Sequence, residues 1–334
     1  GPSSPPPRYC ARPWSLIILA VGSAPSPSGF AATMWVMDRT EQLATILAVT
    51  RVKSRRLTQP DRVQRLLLTG DPAAVLGEVA DLTLLDDPVL ERARDDVELW
   101  LERGYGMVSV LDEEYPARLR DVREAPAILY YEGDLRSADQ GVCVVGSRQA
   151  DEAALDVASY VSRALVEAGL TVVSGLAAGI DAAAHTSALE AGGRTVAVMG
   201  TGLERTYPRQ NAELRQRIVG DGGLVITQFE PGATVTRASF PMRNAVMSGY
   251  GITTFVVAAS EHSGTRTQAK NAVRHGRGVI LSRRVTRETS WGQEMANSGE
   301  ALVAEGTAAV LKHARALQAE RALAEELMQE LASL

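Results

Sequence analysis

Three short polar turns in this chain have the composition that holds phosphate oxygens. Gly146-Ser147-Arg148 follows an apolar run at 142–145, Ser174-Gly175 with Gly179 follows a second at 170–173, and Ser263-Gly264-Thr265 follows a third at 253–258. Glycine lets backbone N–H groups approach an anion closely, and a helix that starts behind the turn adds the positive end of its dipole. Ser147, Ser174 and Ser263 set hydroxyls beside these turns. Arg148 stands directly after the first turn, and Arg243-Asn244 closes the stretch FPMRN at 240–244. An arginine at a glycine-rich strand end is placed to fork onto a phosphate. Between Glu261 and Glu288 there is no acidic residue, while Arg266, Lys270, Arg274, Arg277, Arg283, Arg284 and Arg287 all fall in that interval. Arg266, Lys270 and Arg274 are four apart and so share one helix face. In a chain of net charge −5, that concentration points to a polyanionic partner.

Bond-breaking chemistry is far less visible. Asp181 and His185 stand one helical turn apart, a spacing compatible with acid–base work. Asp181 is better read as a cap or dipole partner near a helix N-terminus, with His185 packing beside it. No Ser-His-Asp, Cys-His or metal-ligand cluster can be assembled, with four histidines and two cysteines, Cys10 and Cys143, in the whole chain. No GxxxxGK[ST] loop occurs, and Gly200-Thr201-Gly202 is half a dinucleotide fingerprint, because Arg205 stands where its third glycine belongs. The sequence therefore predicts a binding protein with no catalytic residue, no metal and no cofactor.

Such turns need strands that end and helices that begin at the right places. Residues 142–185 read as strand, glycine turn, helix (Ala154, Ala158, Val161 and Leu165 at three- and four-residue steps), strand and glycine turn, a βαβ unit. Strands at 195–199, 224–227, 253–258 and 279–281 continue the alternation with helices at 211–219, from 240, and at 264–275. The pattern predicts an α/β fold, an extended Rossmann-like, doubly wound, mostly parallel sheet that binds ligands at its strand C-termini. Two further strands are expected at 107–110 and 127–131. Residues 37–104 are strand-poor, with Asp71-Pro72 and Asp87-Pro88 as helix starts, and read as a small α-helical domain. The Rossmann-like binding domain is expected over 105–305. Residues 306–334 read as an amphipathic helix with Leu323, Leu327 and Leu331 on one face, docking on its own domain or on a partner.

Residues 1–36 read as a disordered tail or a non-native leader. Arg8 and Arg12 before the apolar run 14–21 imitate a secretory leader, but the run is short and Pro25 and Pro27 break it. No stretch reaches the ~18 apolar residues that span a bilayer, so no membrane association is expected and the chain reads as cytoplasmic. With 45% hydrophobic and 22% charged residues the composition is that of a soluble globular protein.

The assembled motifs resemble those of the DprA/Smf family of bacterial DNA-processing proteins. The likeness rests on Val145-Gly146-Ser147-Arg148, on Ser174-Gly175-Leu176-Ala177 with Gly179-Ile180-Asp181 and Ala184-His185, and on Tyr207-Pro208, Phe240-Pro241, Arg243-Asn244, Ser263-Gly264 and Gly276-Arg277 in that order. Tyr115-Pro116 and the stretch APAILYYEGDL belong to it as well, so it covers about 111–303. The resemblance implies a non-catalytic, homodimeric protein that binds single-stranded DNA, protects it and helps load a RecA-type recombinase during natural transformation. It also implies a small helical N-terminal domain. Three positions depart from the family pattern: Ala258 stands for an acidic residue, Thr227-Gln228 for Ser-Glu, and Ser282-Arg283-Arg284 for Pro-Gly. Loss of two carboxylates makes the expected rim more positive. With Phe240, Tyr250 and Phe255 as its few aromatics, the region should stack bases sparsely, read sequence weakly and bind with steep salt dependence. The competing reading is a nucleotide-ligand sensor or a nucleotide hydrolase on the same scaffold, although the PGGxGTxxE signature of such hydrolases is missing.

Overall fold

The computed structural model describes residues 38–53, 57–80 and 88–332. The expected leader at 1–36 and the helix start at Asp87 lie outside the described residues. One sheet runs through the described chain. Its strands are β1 (Gly106–Ser109), β2 (Ile128–Gly133), β3 (Gly141–Val145), β4 (Thr171–Ser174), β5 (Thr195–Val198), β6 (Leu224–Thr227), β7 (Thr253–Val256), β8 (Gly278–Ser282) and β9 (Leu302–Ala304). They lie in the order β1-β2-β6-β5-β4-β3-β7-β8-β9. Every pair from β6 across to β9 is parallel, whereas β2 runs antiparallel to both β6 and β1. The expected α/β class with a mostly parallel sheet is therefore observed.

The chain lays β3 to β6 in one direction, then crosses back to place β7 on the other side of β3. The reversal between β3 and β7 makes a topological switch point, the crevice at which open parallel sheets take ligands. The strands facing it read as continuous apolar runs because helices cover both faces. Val142 and Val144 of β3 pack with helices α6 (Glu152–Glu167), α7 (Ile180–Glu190) and α13 (Thr307–Ala332). The alternate residues Cys143 and Val145 pack with α9 (Ser239–Tyr250) and α10 (Gly264–Arg274). Between them in the chain, α8 (Ala212–Gly220) connects β5 to β6, and the short α5 (Ala117–Arg120) lies between β1 and β2.

Among the described residues four helices precede the sheet: α1 (Arg39–Arg51), α2 (Gln59–Thr69), α3 (Pro72–Ala80) and α4 (Pro88–Glu102). A capping box between Thr58 and Asp61 starts α2, and left-handed Gly70 ends it. Ile46, Leu47, Leu76 and Val97 share one apolar cluster with Val108 of β1 and Leu129 of β2. Trp100 of α4 meets Tyr130 of β2 edge-on at 5.4 Å. Beyond β8, two helices that periodicity did not disclose, α11 (Arg283–Glu288) and α12 (Ser290–Asn297), lead to β9. Ser282 and Thr289 cap them with their hydroxyl oxygens. Among the described residues no helix is long and apolar enough to cross a membrane. On α13, Leu323, Leu327 and Leu331 are exposed.

Candidate anion-binding cleft

The loops after β3 and β4 are locked together by their backbones. Ser147 donates its N–H to Ala258 O across the switch point at 2.9 Å, and its own carbonyl accepts from Ile180 N at 3.3 Å. Gly179 has φ +75°, and a Cβ there would press into the carbonyls of Ser147 and Arg148, so both conformation and space demand glycine. Leu176 is left-handed at φ +56°, which costs a non-glycine residue about 1 kcal/mol. Asn211, from the single turn before α8, holds it there: its Nδ2 donates to Leu176 O at 2.9 Å and to Ala177 O at 3.1 Å. Asp181 does not cap its own helix. Its Oδ2 accepts from Gly175 N at 3.2 Å and Ala177 N at 3.3 Å, folding the loop back over the first turn of α7.

Over this platform lies a cavity of about 190 Å³, bounded by Arg148, Gly175, Ala177, Ala178, Gly200, Tyr207, Pro208, Gln210, Val235, Phe240 and Arg243. Two arginines and no carboxylate line it. The exposed Arg148 guanidinium sits 4.4 Å from the centroid of the Phe240 ring, and the Tyr207 ring lies 6.0 Å from Phe240. Arg148 forms no ion pair among the described residues. Arg243 is buried and lies flat against Gly175, where any side chain would collide with its guanidinium. Its Nη1 is 3.4 Å from Val198 O and 3.8 Å from Asp181 Oδ2, and its Nε has no hydrogen-bond partner among the described residues. Burial pulls Arg243 below its ordinary pKa, opposed by Asp181 and aided by Arg148. Burial likewise pushes the Asp181 carboxyl up, opposed by Arg243 and the loop N–H groups. This is a loosely held cation with spare donor capacity, an arrangement that can take an oxyanion.

His185 lies beneath, fully buried, with Nδ1 2.7 Å from Thr195 Oγ1. The Thr195 hydroxyl donates to Val172 O at 2.8 Å, which leaves its oxygen to accept from Nδ1–H of His185. Burial drives its pKa down to about 3. It packs under the cleft and does not face it.

The other sequence-predicted residues divide. Gly146, Ser147, Arg148, Gly175, Gly179 and Arg243 converge at the strand C-termini. Ser263, Gly264 and Thr265 open α10 just across the switch point, and Asn244 binds α9 to that turn through Nδ2 to Gly264 O at 3.3 Å. Arg266 is partly exposed near the same end and Lys270 is exposed one turn on. Two expectations need correction. The Ser174 hydroxyl does not serve the cleft, because it is buried and donates to Val144 O at 2.7 Å. Arg274 sits at the far end of α10, about 15 Å from Gly264 at the helical rise, where it pairs with Glu124. The acid-free interval is also less cationic than it reads. Arg283 pairs with Glu305 at 2.6 Å, Arg284 with Asp151 at 2.7 Å, and buried Arg277 donates to Arg118 O. These carboxylates come from outside the interval, so local composition could not show them.

Two of the departures from the family pattern have structural work, whereas Ala258 contributes a backbone carbonyl that any residue would supply. The Thr227 hydroxyl donates to Thr201 O at 2.8 Å. Ser282 donates to Val257 O at 2.6 Å while its Oγ caps α11. Sequence reasoning missed the outer wall of the cleft: Tyr207, Pro208, Gln210 and Val235. Its available signal was position, since the loops after β5 and β6 end on the same sheet edge as the glycine turns.

Residues 106–321 match the family model of DNA recombination-mediator protein A. The chain is similar to the DNA processing protein DprA of Streptococcus pneumoniae, with 36% identity over 216 residues that cover 63% of this chain and 76% of that protein. It is also similar to the protein Smf of Synechocystis, 39% identical over 174 residues, which cover 51% of this chain and 44% of the relative. The X-ray structure of the S. pneumoniae protein has a similar fold, with a TM-score of 0.66 and 30% identity over 82% of this chain and 97% of that one. DNA processing protein A of Helicobacter pylori, whose structure concerns a single-stranded DNA binding mode, shares the fold at a TM-score of 0.57 and 22% identity, over 65% of this chain and 96% of its own.

Proposed function

Since the chain belongs to the DNA recombination-mediator protein A family, which residues 106–321 match, we propose that it binds single-stranded DNA across the strand C-termini. The observation that carries this reading is a cleft lined by Arg148 and Arg243, with no carboxylate in its lining and with the aromatic rings of Phe240 and Tyr207 among its walls. Backbone phosphates take the arginines and a splayed base takes the rings, the combination that single-strand binding proteins use. The exposed Arg237, in the loop before α9, and Arg266 add positive charge on the same edge. We further propose, on family membership, that the protein works as a homodimer, protects the strand during DNA uptake and passes it to a RecA-type recombinase without catalysing a reaction of its own. Recombinase-driven strand exchange with and without the protein tests that step.

Fluorescence anisotropy with a labelled oligothymidylate over a salt series tests the binding itself. Arg148→Ala is expected to weaken binding about ten-fold and to make the log–log salt slope shallower by about 0.7, the share of one phosphate on a single strand. Phe240→Ala is expected to cost about 1–3 kcal/mol as one lost stacking partner. No strand binding, with uptake or turnover of a mononucleotide instead, would replace this reading by the nucleotide-sensor or nucleotide-hydrolase one.

A further inference from the structure

Beyond the cleft wall, the loop after β5 carries two cations that the cleft itself does not use. Arg205 and Arg209 are exposed, and neither forms an ion pair among the described residues. Both are mounted on fixed backbone. Arg205 N bonds to Gly202 O at 3.2 Å and its carbonyl accepts from Thr201 Oγ1 at 3.0 Å. Arg209 stands between the lining residues Pro208 and Gln210, in the turn that Asn211 pins to the β4 loop.

Two acids beside this loop are already engaged, and a third, Glu213 in the first turn of α8, is exposed. Glu204 accepts from Arg103 at the end of α4 at 2.5 Å. Glu230, in the adjoining loop after β6, is gripped by both arms of Arg51 of α1 at 2.9 and 2.8 Å. The two loops are themselves joined by Gly202 N to Ala233 O at 3.0 Å and Glu204 N to Pro231 O at 2.9 Å. Arginines from the N-terminal segment thus cancel two of the carboxylates that would repel an anion here. Cations elsewhere on the sheet, Arg274, Arg283 and Arg284, are paired off, whereas Arg205 and Arg209 are left open.

We propose that Arg205 and Arg209 form a second phosphate-contacting track, so that a strand whose first nucleotides occupy the cleft continues outward over the loop after β5. The inference rests on the single-strand reading above and extends its footprint. On this proposal a dinucleotide occupies the cleft alone, whereas a long oligothymidylate reaches both sites.

Binding of both probes to the full chain is measured over a salt series for the wild type and for the double variant Arg205→Gln/Arg209→Gln, with thermal unfolding as a check on folding. The track predicts an unchanged dinucleotide affinity and a long-strand salt slope shallower by about 1.4, two single-strand phosphates. Arg103→Met, which uncovers Glu204, should weaken the long strand more than the dinucleotide. An unaltered long-strand slope would overturn the track and leave the cleft reading standing. Equal loss of both probes would also overturn it, since the loop would then act only through the cleft. If the wild type binds neither probe, the cleft reading fails first and the track with it.

Discussion

The His185 imidazole illustrates how a residue of catalytic type becomes a stability device when nothing wet touches it. Its folded pKa of about 3 lies below the ordinary 6.5, so between those values the unfolded chain binds a proton that the native chain refuses. Stability from this group is complete above pH 6.5 and is lost as pH falls toward 3, by up to about 1.4 kcal/mol per unit. Denaturant unfolding at pH 7 and pH 4.5 should therefore show a steeper loss for the wild type than for His185→Gln, by about 2–3 kcal/mol. His275, also held down by burial, is present in both proteins and cancels; equal losses would show that His185 is not buried neutral. At this scale the sequence was legible where a residue type allowed one role. Arg148 at a glycine-rich strand end and Arg243 in the stretch FPMRN could be read as ligand-facing, and both line the cleft, Arg243 from a buried position in α9. Ser174 was not legible, because a serine beside a turn looks the same whether its hydroxyl meets a ligand or the carbonyl of the next strand.

Among the elements, the interlock between the β3 and β4 loops bears the cleft. Gly179 and Gly192 share a positive φ, +75° and +70°, but only Gly179 faces neighbouring backbone while Gly192 faces open space. Gly192→Ala is expected to cost about 1 kcal/mol, the left-handed penalty alone. Gly179→Ala should cost at least ~2 kcal/mol, since steric displacement adds to strain, and should weaken strand binding in parallel. Chemical denaturation midpoints decide this, and equal costs would refute the interlock. Strands and βα turns could be read from the sequence because a parallel sheet covered on both faces writes itself as apolar runs ended by glycine. The short elements between β8 and α13 could not. Helix α11 spans Arg283–Glu288 with Val285 buried, too brief to show a period, and it is fixed by a hydroxyl cap and by Asp151 from another part of the chain.

In the molecule as a whole, the N-terminal helices and the sheet share apolar contacts through Trp100 and Tyr130. Trp100→Ala should cost about 3–5 kcal/mol as a buried large-to-small change. If the shared cluster makes the two parts cooperative, the emission of Trp100 and that of Trp291, each followed in a variant whose other three tryptophans are replaced by Phe, will change at one temperature. Two separated transitions would show that the helices fold on their own.

The arginine–glutamate contacts between helices and loops have a consequence for how this protein is delimited. The family match begins at residue 106, at the first strand. Arg51 and Arg103, which grip Glu230 and Glu204 beside the cleft, stand before it. A fragment cut at the family boundary would keep every residue of the cleft lining and still present a different electrostatic surface, with two bare carboxylates at its margin. In this chain the span that sequence kinship marks out and the span that sets the charge at the margin of the cleft are not the same.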